Sequence, residues 1–133
     1  MPTTDSTYAI SRTTTLDFAE AVAAARSALA AEGFGVLCEI DVQATLREKL
    51  GAEREPYVIL GACNPPLAHR ALELEPEIGV LLPCNVAVYV EEGTTHVAAI
   101  DAGVMLGVVG RADLEPVAAE VTGRLERVVE AID

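Results

Sequence analysis

Residues 86–101 of the chain have the sequence VAVYVEEGTTHVAAID, which predicts a β-hairpin. In its first half, valines alternate with an alanine and a tyrosine, the pattern of a strand that buries one of its two faces. The segment 91–94, Glu-Glu-Gly-Thr, forms the predicted turn, and residues 95–101 return as the second strand. A hairpin that is half-buried in this way needs other elements to cover its apolar face.

The elements on either side of this hairpin alternate between strands and helices. Apolar residues at helical spacing, with capping residues at their starts, predict four helices. The predicted order is β-α-β-(short α)-β-α-β-β-α. This order favours an α+β fold, an antiparallel sheet of about five strands with helices packed on one face. The additional strands are predicted at residues 8–13, 36–40 and 57–62, and the helices start near Thr14, at Asp41, at Asn64 and at Asp113.

The first and last helices have distinct boundary signals. Thr14 with Asp17 three residues later has the spacing of a capping box. Asp113 is predicted to cap the last helix, along which an apolar stripe continues to Ile132. Gly123 lies in the middle of that helix, where glycine costs about 1 kcal/mol relative to alanine. We therefore expect Gly123 to permit close backbone packing, including packing across a subunit interface.

The composition limits the classes of function. The chain has 133 residues, which fits one domain, predicted at residues 8–133 behind a loose tail at residues 1–7. Its formal net charge is -12, whereas nucleic acids and anionic membranes both require clustered basic side chains, so we expect neither as a partner. No targeting segment is evident, and three cysteines in such a chain are expected to stay reduced. The predicted location is cytoplasmic.

Several short motifs carry a family resemblance. They are GACNPPLA at residues 61–68, EPEIG at residues 75–79, LPCNV at residues 82–86 and GFGV at residues 33–36. On these motifs, and over about residues 8–132, the chain resembles the family called domain of unknown function 302. The resemblance implies a β-α-β4-α fold like that of TATA-box-binding-protein-like domains, and it implies a homodimer. It implies no established activity.

The predicted topology brings several chemically capable side chains toward one edge of the sheet. Cys63 follows one strand and Cys84 begins the next, so antiparallel pairing would place both at the same edge. Asp101 ends the returning strand of the hairpin and reaches that edge too, and Met105 follows it. His69 lies on the helix that starts between the two cysteines. These residues form the candidate site.

A thiol or metal function is one interpretation of this edge. Cys63 lies beside a helix N-terminus, where the helix dipole and free N–H groups stabilise a thiolate. Cys84 would then be its resolving partner, or both would bind a soft metal ion with His69 or Asp101.

The alternative is that the cysteines pack as small hydrophobic side chains, the usual state of free cysteine. The spacing between Cys63 and Cys84 matches neither a zinc site nor a thioredoxin-like motif. Helix capping accounts for Asn64, and turn formation accounts for Asn85, so these two candidate residues also have structural explanations. Cys38 departs from the family pattern, and we interpret it as a small core residue. We favour this structural interpretation of the thiols.

Three hypotheses for function follow. The chain has no nucleotide-binding or nucleophile-elbow motif, and no cofactor is evident from its motifs. The first hypothesis is a homodimeric binding or accessory domain without catalytic activity, which takes a small apolar ligand in a concave site. The second is a thiol-based redox or soft-metal-binding domain that uses Cys63 and Cys84. The third is an interaction module whose dimer surface carries the function.

Overall fold

The computed structural model describes residues 6–133, and these form one five-stranded sheet in which every neighbouring pair is antiparallel. The strands are β1 (Ala9–Thr14), β2 (Gly35–Asp41), β3 (Tyr57–Cys63), β4 (Cys84–Glu91) and β5 (Thr94–Ile100). Their order across the sheet is β1-β5-β4-β3-β2, so the predicted hairpin lies in the middle. The predicted α+β fold is confirmed. The predicted loose tail at residues 1–7 lies outside the described residues except for its last two positions.

The first and last helices pack against one face of this sheet, and the third and fourth helices pack beside them. The helices are α1 (Phe18–Ala31), α2 (Val42–Leu50), α3 (Pro65–Leu74), α4 (Ala102–Gly107) and α5 (Glu115–Ala131), with 3₁₀ turns at Pro76–Leu81 and Ala112–Leu114. α1 and α5 contact each other and the central strands, and α3 and α4 pack against α5. Over residues 6–133, no helix has both the length and the apolar character needed to cross a membrane.

A capping box starts α1, three residues later in the chain than predicted. The backbone N–H of Glu20 donates to Asp17 Oδ1 at 2.8 Å, and the backbone N–H of Asp17 donates to Glu20 Oε1 at 3.1 Å. The expected start near Thr14 is wrong because Thr14 still pairs with Thr95 in the sheet. The box therefore uses Asp17 as its first member, whereas the spacing from Thr14 made Asp17 its last.

The apolar stripe of α5 is buried along its whole length, as predicted, from Leu114 to Ile132. Its N-terminus, however, has no side-chain cap. Asp113 was expected to cap it but instead binds Arg111, whose Nη2 lies 2.6 Å from Asp113 Oδ2, and this ion pair lowers the pKa of the Asp113 carboxyl. Gly123 is not a site of close packing within the described chain, because an added Cβ would meet only Arg127 Nη1 at 3.7 Å.

The two faces of the sheet differ because side chains alternate along each strand. On the face toward α1 and α5, large aliphatic side chains such as Leu60, Val88 and Val97 are fully buried. On the opposite face, which we call the open face, the side chains are only partly covered. The central residues of the open face are Ile59, Ala87, Tyr89, His96, Ala98 and Ile100.

Candidate functional site

An apolar pocket lies at the end of the sheet where β3 finishes and β4 begins. Its volume is about 300 Å³, and residues of α3, α4 and α5 contribute to its walls. These helices meet here because α3 and α4 both pack against α5. The larger apolar side chains of the wall are Phe34, Leu67, Leu82, Leu106, Val117 and Val121.

Three sulfur-containing residues, Cys63, Cys84 and Met105, line this apolar pocket. Cys63 is the last residue of β3, and Cys84 is the first residue of β4. Antiparallel pairing aligns Cys84 with Ala62, so the two cysteines lie at the same end of the sheet. Met105 comes from α4, the short helix that follows β5. The structure therefore brings these three candidate residues together.

The two thiols of the apolar pocket differ in their surroundings. Cys84 is only 7% exposed, whereas Cys63 is half-buried. Burial, reinforced by the neighbouring Cys63 thiol, raises the pKa of Cys84 to about 11. Near pH 7 Cys84 is therefore a neutral thiol that packs like a small apolar side chain. Cys63 is the more accessible of the two sulfurs.

Asn64 is a polar side chain in the wall of the apolar pocket, and it is 8% exposed. Its Oδ1 accepts a hydrogen bond from the backbone N–H of Leu67 at 3.3 Å, which caps α3 as predicted. Its Nδ2 donates to the backbone carbonyl of Glu32 at 3.4 Å, and Arg124 Nη1 donates to the same carbonyl at 2.8 Å. Asn64 thus ties the start of α3 to the end of α1, and its amide already has protein partners on both atoms.

Three other candidate residues do not line the apolar pocket. Asn85 follows Cys84 by one strand position, so its side chain lies on the open face. His69 is exposed on α3, with its Nε2 3.5 Å from Glu73 Oε1. Asp101 does lie at this end of the sheet, but its Oδ1 caps α4 by accepting from the backbone N–H of Gly103 at 3.0 Å. Asn85 is outside the pocket because side chains alternate along β4, and His69 because it lies on the exposed side of α3. Asp101 is outside it because its carboxylate caps α4.

The expectation that Cys38 is a core residue is wrong, because Cys38 is exposed on the edge strand β2. The register shifts between Val36 and Cys38, so Leu37 is an extra residue in this strand. That shift lets Leu37, although 69% exposed, contribute to the rim of the apolar pocket. The sequence analysis missed Leu37. The available signal was Gly61 on the paired strand, since an interior glycine often marks a bulge or a close approach.

The part of the chain that the structure describes contains no group of three or more His, Cys, Asp or Glu side chains that could hold a metal ion. The candidate metal ligands His69 and Asp101 are therefore not gathered around the two cysteines. Met105 is the third potential soft ligand beside them.

Comparison with known proteins places the chain in a family. The family model described as domain of unknown function DUF302 matches residues 10–132. The chain is also similar to a solved structure, the uncharacterized conserved protein DUF302 from Bacillus stearothermophilus, with 30% sequence identity and a TM-score of 0.90. That match covers 96% of this chain and 100% of the other. No curated protein matches the chain significantly. The chain therefore belongs to the family of the domain of unknown function DUF302.

Proposed function

We propose that the protein is a small homodimeric binding domain without catalytic activity, and that its ligand is a small apolar or amphipathic molecule held in the apolar pocket. The observation that carries this proposal is a preformed cavity of about 300 Å³ with almost entirely apolar walls. Cavities of this type are the usual sites for small ligands in folded domains.

The size of the apolar pocket limits the buried part of the ligand. An apolar cavity of about 150 Å³ accommodates benzene. A volume of about 300 Å³ therefore suits a hydrocarbon group roughly twice the size of benzene. No charged side chain lines the cavity, so the part of the ligand inside must be neutral.

The rim of the apolar pocket favours an amphipathic ligand over a purely polar one. Leu37 and Leu72 lie at the rim of the apolar pocket, and they are 69% and 40% exposed. They would extend the apolar contact outward, and a polar head would lie beyond them in solvent. Asn64 is less suited to bind such a head because its amide is engaged with the backbone.

A series of linear alcohols and fatty acids of increasing chain length tests this proposal by isothermal titration calorimetry. We expect affinity to rise with chain length until the cavity is filled, because each buried methylene contributes about 0.8 kcal/mol. Ala68 lines the cavity, so Ala68→Trp should fill it and abolish binding. Ala119→Trp makes the same change on the exposed side of α5 and should bind normally. Equal binding by both variants, or none by the native protein, would contradict the proposal.

A second candidate function, thiol redox or soft-metal binding, is favoured by one observation: Cys63, Cys84 and Met105 line the same cavity. Thiolates and thioethers are the ligands preferred by Cu(I) and similar ions. The raised pKa of Cys84 opposes a thiolate role in the free protein, so a metal ion would have to displace its proton.

Titration with Ag(I), followed by native mass spectrometry, tests the metal version. The exposed Cys38 would bind Ag(I) by itself, so the titration uses a Cys38→Ser background. We expect one bound ion, lost in Cys63→Ser and Cys84→Ser and weakened in Met105→Leu. Binding that persists in both serine variants would exclude this site. A disulfide between Cys63 and Cys84 in protein alkylated at cell lysis would favour the redox version instead.

We also propose a cytoplasmic location, supported by three free cysteines in the described chain. Free thiols persist where the glutathione pool keeps them reduced. Fractionation of cells that express the native protein, with immunodetection, tests this. Recovery outside the cytoplasm would contradict it.

A further inference from the structure

We propose that the open face of the sheet is the surface through which two copies of the chain associate. This inference rests on the proposed function, which includes a homodimer, and specifies the surface that forms it. The position of the ligand pocket does not determine that surface. The side chains of the open face, their charge and the area they offer each point to a second copy.

Two rows of side chains cross the open face without a charge. In the first row, Ser11 is paired with Ala98, Ala98 with Ala87, and Ala87 with Ile59 of β3. The row then reaches Ile40 of the edge strand β2, which is 47% exposed. These residues are small or aliphatic, so a second sheet can approach closely along the row.

The second row is aromatic. Tyr57 is stacked on Tyr89 with ring centroids 5.0 Å apart, and Tyr89 is stacked on His96 with centroids 4.9 Å apart. Thr13 of β1 continues this row next to His96. The guanidinium of Arg54 lies over the Tyr57 ring, with its Cζ 5.0 Å from the centroid, and the three stacked rings are only partly covered. Aromatic side chains of this kind are enriched in the centres of protein interfaces.

The charge distribution favours a second copy of the chain as the partner on the open face. Among the strand positions of residues 6–133 that lie on the open face, only Glu91 carries a carboxylate, although the chain contains 21 Asp and Glu residues. Arg54 and Glu55 border the aromatic row from the segment before β3. Two copies with a net charge of -12 each repel one another through the rest of their surfaces. They can meet with few like charges in contact only through a face that is nearly free of carboxylates. A foreign partner would instead be attracted to the acidic surfaces elsewhere by opposite charge.

The area is sufficient for such an interface. Five strands spaced about 4.8 Å apart, with six to eight residues at about 3.3 Å each, give a face of about 500 Å². Two such faces bury about 1,000 Å², the lower bound for a specific interface. Because the same face is present on both copies, a two-fold axis through it closes the assembly as a dimer. The side chains of β4 and β5 then form the centre of the interface.

Sedimentation equilibrium over a wide concentration range tests this interface. Ala98→Glu places a carboxylate in the centre of the open face, and two copies would bring like charges together in a desolvated region. We expect the native chain to be a dimer and Ala98→Glu to dissociate at least about a hundredfold more readily. The matched control is Ala119→Glu, the same change on the exposed side of α5, which should remain a dimer.

Ser11→Glu provides a second disruptive change, because it lies in the same row on the edge strand β1 and keeps the proposal testable if Ala98→Glu misfolds. A native chain that is monomeric at all concentrations would overturn the proposal. Folded Ala98→Glu and Ser11→Glu variants that both remain dimers would also overturn it. Ligand binding by a monomeric Ala98→Glu variant would show that the apolar pocket functions without the dimer. Failure of the binding proposal can therefore be distinguished from failure of the interface proposal.

Discussion

At the scale of single residues, Cys84 shows how position in the fold changes the chemistry of a thiol. Cys38 on β2 and Cys84 on β4 belong to one sheet, with β3 between them, yet Cys38 is exposed and Cys84 is buried in the wall of the apolar pocket. Burial raises the pKa of Cys84 from the ordinary value of 9.0 to about 11. The free energy of unfolding must therefore depend on pH in this range.

We predict that Cys84 contributes stability that is lost between pH 9 and pH 11. Below pH 9.0 its thiol is protonated in both the folded and the unfolded chain. Between pH 9.0 and about 11 the unfolded chain loses the proton first, so unfolding becomes more favourable as pH rises. Urea unfolding should show that the stability difference between the native chain and Cys84→Ala shrinks by about 2–3 kcal/mol across this range. A constant difference for Cys84→Ala across this range would refute the assignment.

Gly61 provides a second prediction at the same scale. A Cβ at this position would lie 2.6 Å from Cys38 Sγ and 3.0 Å from Pro83 Cγ, and the proline ring cannot rotate away. We expect Gly61→Ala to lower the free energy of unfolding by about 1–3 kcal/mol through overpacking. Gly35→Ala is the control, since nothing lies within 4 Å of its Cβ. Adding Cys38→Ala to Gly61→Ala should restore part of the loss, and no loss in Gly61→Ala would show that β2 shifts freely.

At the scale of elements, local side-chain chemistry determines the boundaries of α2 and α3, which is why these could be predicted. Asp41 and Asn64 cap α2 and α3, and the left-handed Gly51 ends α2, as their sequence positions indicate. The helix α4 is not among the four predicted helices, and two of its six residues are glycine, the ordinary residue of lowest helix propensity after proline. Packing against α5 and the cap from Asp101 stabilise it, and neither can be inferred from propensity.

Gly123 in α5 leads to a prediction about an element. Its mid-helix position costs backbone entropy, and the space around it is open apart from Arg127. We expect Gly123→Ala to raise the free energy of unfolding by about 0.5–1 kcal/mol without changing the oligomeric state, because the proposed interface is on the open face. Thermal unfolding and sedimentation measure the two effects. A loss of dimer in Gly123→Ala would instead place the interface on α5.

At the scale of the whole molecule, topology explains which parts of the site were predictable. Cys63 and Cys84 could be placed together because consecutive antiparallel strands must end and begin at the same edge. The side-chain directions of Asn85 and His69 depend on strand and helix rotation at single positions, which an order of elements does not specify. The contribution of Leu37 depends on a shift in register, and that shift has no pattern of its own in β2.

The excess of acidic residues leads to the last prediction, which concerns the molecule as a whole. The net charge of -12 makes the folded chain repel itself, whereas its ion pairs lie at the surface, where each contributes less than about 1 kcal/mol. Salt screens both effects, but repulsion is the larger, so the free energy of unfolding should rise as NaCl is added.

Urea unfolding of the Ala98→Glu variant at low and high NaCl measures this effect without a contribution from association of two copies. The double variant Glu53→Gln/Glu126→Gln removes two carboxylates. Among residues 6–133, neither carboxylate belongs to one of the ion pairs. This variant should be more stable than its parent at low salt and should gain less from NaCl, because less repulsion remains to be screened. A fall in stability with added NaCl would mean that attractive ion pairs outweigh the repulsion from the net charge. Repulsion would then not restrict the contact between two copies to the open face.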